Sequence, residues 1–195
     1  MTRRLAFLSA LALAVGCSPS MPPVRDSVPR GTVSQDAQAP VGRGWRVEIV
    51  EDGDDAVAVR IGPDGARAAV LEGPNNRISV SAHSLLTEAR LSCGNPCSAS
   101  VFVSTETGQT SDPFADVLAV DPAGGRVAVP TSQGVEVYGL WNSDRPLHRF
   151  RLPLSATAAP VSAFMTLSFI DDGLLRAVYL RGPEYVESDT TLAMP

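Results

Sequence analysis

From Trp45 onward the chain offers no room for a long helix. Apolar, β-branched and aromatic residues come in short runs, and Gly, Pro, Asp or Asn closes each one. The runs are WRVEIV (45–50), AVAVRI (56–61), ARAAVL (66–71), RISVSA (77–82), SASVFVS (98–104), DVLAV (116–120), RVAVP (126–130), GVEVYGLW (134–141), LHRFRL (147–152), VSAFMTLSFI (161–170), LLRAVYL (174–180) and EYV (184–186). Turn chemistry separates them at Pro63-Asp64-Gly65, Pro122-Ala123-Gly124-Gly125 and Asp171-Asp172-Gly173. One segment, SLLTEARL (84–91), reads as helix. The spacing predicts an all-β body of antiparallel strands.

These strands repeat. PDGARAAV (63–70) and PAGGRVAV (122–129) match at an offset of 59 residues, and DDGLLRAV (171–178) is a fainter third copy. The unit reads strand, turn, strand, short loop, strand, then a more variable strand. It is clearest in DVLAVDPAGGRVAVPTSQGVEVYGLW followed by PLHRFRLP. This unit resembles a blade of a WD40-like β-propeller. Leu140-Trp141 stands where the WD signature falls, with Asn142 in place of Asp and no Gly-His element. A four-stranded sheet cannot bury both faces alone, so such units stack around an axis. The resemblance implies about three propeller-like blades over residues 45–195, with WRVEIV able to complete the last sheet. Three is fewer than the four to eight blades of closed propellers. A ring-completing dimer, a degenerate extra blade, an open stack and an antiparallel β-sandwich remain as alternatives.

The N-terminus places the chain in a cell. Arg3 and Arg4 precede an apolar run from Leu5 to Val15, too short for the roughly 18 residues that cross a bilayer and suited to a secretory signal. Ala14 and Gly16 are small residues at −3 and −1 before Cys17. The stretch resembles the lipobox of bacterial lipoproteins, although Leu13 falls at −4 rather than −3. The resemblance implies a signal peptide over residues 1–16, cleavage before Cys17, and acylation there by diacylglycerol and a fatty chain such as palmitate. Several chains, at about 0.8 kcal/mol per buried methylene, hold a protein stably on a membrane. Ser18 at +2, rather than Asp, implies the outer membrane of a Gram-negative envelope. Thr2-Arg3-Arg4 also partly resembles a twin-arginine signal. Residues 17–44 carry the lipidation cysteine and a proline-rich, weakly apolar stretch. That stretch reads as a disordered tether with a reach of roughly 25–30 Å.

Cys93 and Cys97 flank Gly-Asn-Pro, which is turn chemistry. In an exported protein this spacing points to a disulfide closing a tight loop, contributing about 2 kcal/mol. A reactive pair or a metal site are the rival readings. C-x-x-C beside a βαβ pattern is absent, and His83 and His148 do not stand at ligand-like spacings.

The formal charge is −5, and loss of residues 1–16 leaves 14 Arg against 21 acidic residues, or −7. That balance argues against nucleic acid as a partner. All 16 basic residues are Arg. Without Lys there is no Schiff-base lysine, Walker-type loop or S-x-x-K acylase in this polypeptide. No G-x-S-x-G, H-E-x-x-H or G-x-G-x-x-G occurs. The acidic run Glu51-Asp52-Gly53-Asp54-Asp55 lacks the spacing of a calcium loop and reads as a solvated turn. Arg145, Arg149 and Arg151 form a candidate basic patch; the spacing of the last two puts them on one strand face. Trp45 and Trp141 read as core or blade-packing residues.

These observations point to a membrane-anchored envelope lipoprotein, with no catalytic residues, metal or cofactor assigned. Its β-domain is expected to bind a partner protein or envelope component, or to self-associate. The other class is a hydrolytic or sugar-active enzyme, or a subunit of one, with its site in a propeller channel.

Overall fold

The structure is a computed structural model and describes residues 32–33, 44–156, 159–171 and 173–194. The described residues are all-β, with 3-10 turns at Asn75–Arg77 and Pro160–Ala163 as the helical pieces. Fifteen strands form four antiparallel sheets, each a meander in chain order. Sheet 1 holds β1 (Thr32–Val33), β2 (Arg46–Asp52), β3 (Asp55–Ile61) and β4 (Arg67–Pro74). Sheet 2 holds β5 (Ile78–Ala82), β6 (Leu86–Gly94), β7 (Cys97–Ser104) and β8 (Phe114–Ala115). Sheet 3 holds β9 (Ala119–Asp121), β10 (Arg126–Thr131), β11 (Gly134–Gly139) and β12 (His148–Arg151). Sheet 4 holds β13 (Phe164–Asp171), β14 (Leu174–Arg181) and β15 (Val186–Ala193).

The sheets stack face to face in sequence, which is the propeller-like arrangement. Val47, Ala56, Ala58 and Leu71 of sheet 1 meet Ile78, Ala89, Val101 and Val103 of sheet 2. Leu86, Phe102 and Phe114 of sheet 2 meet Val127 and Leu140 of sheet 3. Ala128, Val135 and Val137 of sheet 3 meet Leu167, Leu175, Ala177 and Tyr179 of sheet 4. The central strands of the middle sheets are thus buried on both faces, so consecutive residues are covered: Leu86–Ala89 in β6, Ser100–Val103 in β7, and Val127 and Ala128 in β10. At the end of the stack, the far face of sheet 4 carries Leu174, Val178 and Leu180, half-buried, beside Arg176, which pairs with Asp189 at 2.6 Å.

Four expectations change. The described residues form four sheets, where the resemblance implies about three blades. WRVEIV does not complete the last sheet: β2 pairs with β3 in register through the Asp52–Asp55 hairpin, where Gly53 has φ +66°. That short hairpin closes at far lower loop entropy than a pairing across the whole body. SLLTEARL is not helix but the central strand β6. Leu86, Thr87, Glu88 and Ala89 are all buried there, and an eight-residue helix has little stability of its own to resist such packing. Finally, Thr32 and Val33, inside the stretch read as tether, pair antiparallel with β2 at Glu51 and Val50 and cover its open edge.

The repeat is also offset. Pro63-Asp64-Gly65 joins the third and fourth strands of sheet 1, whereas Pro122–Gly125 and Asp171–Gly173 join the first and second strands of sheets 3 and 4. The faint third copy is the structural equivalent of the second, and the strongest match is not.

Candidate binding cleft

Two tryptophans organise one end of the stack. Trp45, just before β2, donates its backbone N–H to Thr105 O at 2.7 Å. Its ring lies against Gly62 and Gly108, and the Arg60 guanidinium sits 5.3 Å from the ring centroid. Arg60 Nη1 also donates to Gly108 O. Residues 104–109, between β7 and the Val103–Thr110 bridge, are therefore pinned to sheet 1. The same loop is braced internally: Gly108 N–H donates to Ser104 O (2.9 Å), Ser104 N–H to Gln109 O (2.9 Å) and Thr107 N–H to Ser104 Oγ (3.1 Å).

The other side of this loop forms one wall of an open cleft between sheets 2 and 3, about 360 Å³ in volume. Ser104, Glu106, Thr107 and Gln109 line that wall, Leu85 and Leu86 its base, and the Pro122–Gly125 turn with Trp141 the opposite wall. The turn is fixed at both ends. Gly124 N–H donates to Asp121 Oδ1 at 2.9 Å, Arg126 Nε to Asp121 Oδ2 at 2.9 Å, and Leu140 N–H to Gly125 O at 2.8 Å. Burial alone would raise the Asp121 carboxyl, but the Gly124 N–H, the Arg126 guanidinium and the Ala123 N–H outweigh it and hold its pKa below the ordinary value. Leu140 is fully buried beneath, while Trp141 is 37% exposed and Leu85 42% exposed. Glu106 is the one charged side chain among the described residues lining the cleft. The cleft is therefore a rigid, weakly charged surface with two large apolar side chains facing solvent. Such surfaces suit contact with another macromolecule.

The other candidates lie apart from it. Cys93 and Cys97 form the expected disulfide across the β6–β7 turn, with Cα atoms 5.2 Å apart and both residues exposed. Cys17 and the signal peptide lie outside the described residues. His83 Nε2 is 3.3 Å from Glu88 Oε2, and Ser100 Oγ donates to Glu88 Oε1 at 2.6 Å. Ser100 is wholly buried and bonded to the carboxylate rather than to the imidazole, so this trio braces the core of sheet 2. His148 stacks on Phe150, 6.2 Å between ring centroids. Glu51–Asp55 is the exposed β2–β3 turn, held by Asn75 donating to Gly53 O and Asp54 O. No group of three or more His, Cys, Asp or Glu suited to a metal ion occurs among the described residues.

Arg149 and Arg151 share one exposed face of β12, beside a shallow hollow of about 250 Å³ with Thr131, Ser132 and Gln133. Glu136 neutralises Arg149 at 2.9 Å and accepts from Tyr138 Oη at 2.7 Å. Burial and the Glu136 carboxylate push the Tyr138 phenol up to about 12. Arg145 lies on the exposed loop before β12. The predicted basic patch is thus split and half neutralised.

Sequence reasoning placed both tryptophans in packing. That describes Trp45; Trp141 instead opens onto the cleft. The loop at 104–109 carried no sequence signal beyond its Thr and Gly content.

No protein-family model matches the chain, and no curated protein matches it. Among solved structures, the N-terminal domain of Nup159 aligns with 73% of this chain and 42% of that one, at 11% identity and a TM-score of 0.36. The chain thus spans less than half of that domain's length.

Proposed function

We propose that this chain is an envelope lipoprotein, held to the membrane through lipidated Cys17, whose β-domain binds a partner protein in the cleft between sheets 2 and 3. One observation carries the reading: Trp141 and Leu85 are presented to solvent between two walls that the fold holds rigid. Exposed Trp is the side chain most enriched where binding energy concentrates, and a pre-formed wall loses little entropy on binding. Glu106 at the rim sets orientation more than affinity. The lipid anchor and tether supply the second element, holding the domain near the bilayer at high local concentration.

The test uses a photo-crosslinking amino acid at position 141 of the full chain in intact cells, with the same group at exposed Arg77 outside the cleft as a control. A discrete adduct at 141 and none at 77 is expected. No adduct, or the same adducts at both positions, overturns the cleft as the binding site. Labelled palmitate should enter the wild type and not Cys17→Ser; equal labelling overturns the anchor.

A further inference from the structure

Among the described residues, sheet 4 differs from the other three: it has three strands where they have four, and its outer strand β15 is eight residues long. Among the described residues, β14 is the strand that pairs with it. The register fixes which backbone groups are used. Met194 N–H donates to Gly173 O at 2.7 Å, in step with Leu174 opposite Ala193, and the ladder runs without a bulge to Arg181 opposite Val186. Antiparallel hydrogen-bonded pairs alternate. Counting back by twos, the N–H and C=O groups of Val186, Ser188, Thr190 and Leu192 face β14. Those of Glu187, Asp189, Thr191 and Ala193 point away from the sheet.

We propose that this edge is a strand-addition site that takes an extended, alternately basic and apolar segment of a partner polypeptide as the fourth strand of sheet 4. The side-chain pattern selects that chemistry. On the stacked face, Ser188, Thr190 and Leu192 are half-buried, and Leu192 packs against the core shared with sheet 3. A strand added here would bring its own apolar side chains beside Leu192. On the far face, Glu187 and Asp189 are exposed, and Asp189 holds Arg176 at 2.6 Å. Glu187 adds an acidic group opposite Leu180, so the neighbouring strand would carry Arg or Lys on that face. Main-chain bonds would supply the affinity and the alternating side chains the selectivity. This surface is independent of the Trp141 cleft.

The probe is a peptide as long as β15 that alternates Arg and Val, added to the full chain. Binding is read by fluorescence anisotropy and by residue-resolved amide exchange. The expected result is saturable binding, with new protection at Glu187, Asp189, Thr191 and Ala193 and none gained at the alternate residues. Thr191→Pro removes an outward N–H and leaves the β14 ladder intact, so the fold should survive while binding weakens about tenfold or more. Should that variant unfold, a peptide N-methylated at its Arg residues makes the same measurement on the wild type, because in an antiparallel fourth strand the residues opposite Glu187, Asp189 and Thr191 supply the N–H groups that face β15. A Glu–Val peptide should bind about tenfold more weakly. Absence of binding overturns the proposal. So does binding without the alternating protection, or protection of those four amides before any peptide is added, which would mean that the edge is already occupied. Trp141→Ala leaves this binding unchanged, so failure here and failure of the cleft are separately visible.

Discussion

The chain uses one device twice, a glycine-bearing tight turn beside a tryptophan, with opposite results. At the first, Trp45 is half-buried: Gly62 and Gly108 both lie against its ring, and Arg60 spans the ring and the Gly108 carbonyl. At the second, Trp141 lies beside Gly125, with the nearest approach of an added Cβ at 3.7 Å, and its ring faces an open cleft. The closed site stabilises the loop that walls the open one. The apolar surface left uncovered at Trp141 is therefore held in place by the surface buried at Trp45.

The sharpest way to break this comparison is to add one methyl group at each glycine. Gly108 has φ +71°, and a Cβ there would stand 2.2 Å from the Trp45 ring. Gly108→Ala should cost about 3 kcal/mol or more, from overpacking together with left-handed strain. Gly125 has φ +60° and ordinary clearance, so Gly125→Ala should cost only the strain, about 1 kcal/mol. Denaturant unfolding of the two variants measures both; equal losses would mean that the Trp45 site is as open as the other.

Truncating the rings comes next. Trp45→Ala should destabilise by about 3 kcal/mol, because it leaves a cavity under a pinned loop. Trp141→Ala should change stability by less than about 1 kcal/mol, since its ring is already partly in water, while abolishing the adduct of a photo-crosslinking group placed instead at Thr107 on the opposite wall. A large loss of stability at Trp141 would make it a packing residue after all.

How much of this was legible in the sequence depends on the length scale of each signal. Strand runs and turns are local, and β2 to β5, β7 and β9 to β14 begin and end within a few residues of the runs in the chain. Where tertiary burial overrode local preference, the reading went astray. β6 carries Leu86, Glu88 and Ala89 in a helix-like order, yet Glu88 is buried because Ser100 and His83 reach it from other parts of sheet 2. β15, with its Ser, Asp and Thr content, lacks an apolar stripe, since only one of its faces touches a core; the run EYV ends where the strand begins. The repeat misled because Pro, Asp and Gly serve any tight connection, so a matching turn does not mark a matching place in a sheet. Trp45 and Trp141 look alike in sequence; what separates them is Gly108 and Arg60, 63 and 15 residues from Trp45 in the chain but against its ring only in the fold.

A smaller effect isolates the clamp itself. Arg60→Met keeps the aliphatic packing but removes the cation from the Trp45 ring and the donor from Gly108 O, for a loss of about 1–2 kcal/mol. Because the bond anchors the loop, amide exchange at Gly108 and Gln109 should quicken more than at β10 or β11. Uniform acceleration through the protein would show that Arg60 supports global stability and not this wall.

The smallest effect concerns the second turn and is read by pH. Asp121 has its carboxyl held below the ordinary range by the Gly124 N–H, Arg126 and the Ala123 N–H, against the opposing effect of burial. A lowered folded value means that the unfolded chain binds the proton more tightly. The stabilisation is therefore fully present above the ordinary Asp value near 3.9 and is lost as the pH falls from there through the folded value. Asp121→Asn should lose it at neutral pH and show a correspondingly shallower acid limb, while Trp141 fluorescence, which reports the turn against which the ring rests, should shift in the wild type over the same acid window. An unchanged limb would locate the acid-sensitive contacts elsewhere and leave the Pro122–Gly125 wall held by its backbone bonds alone.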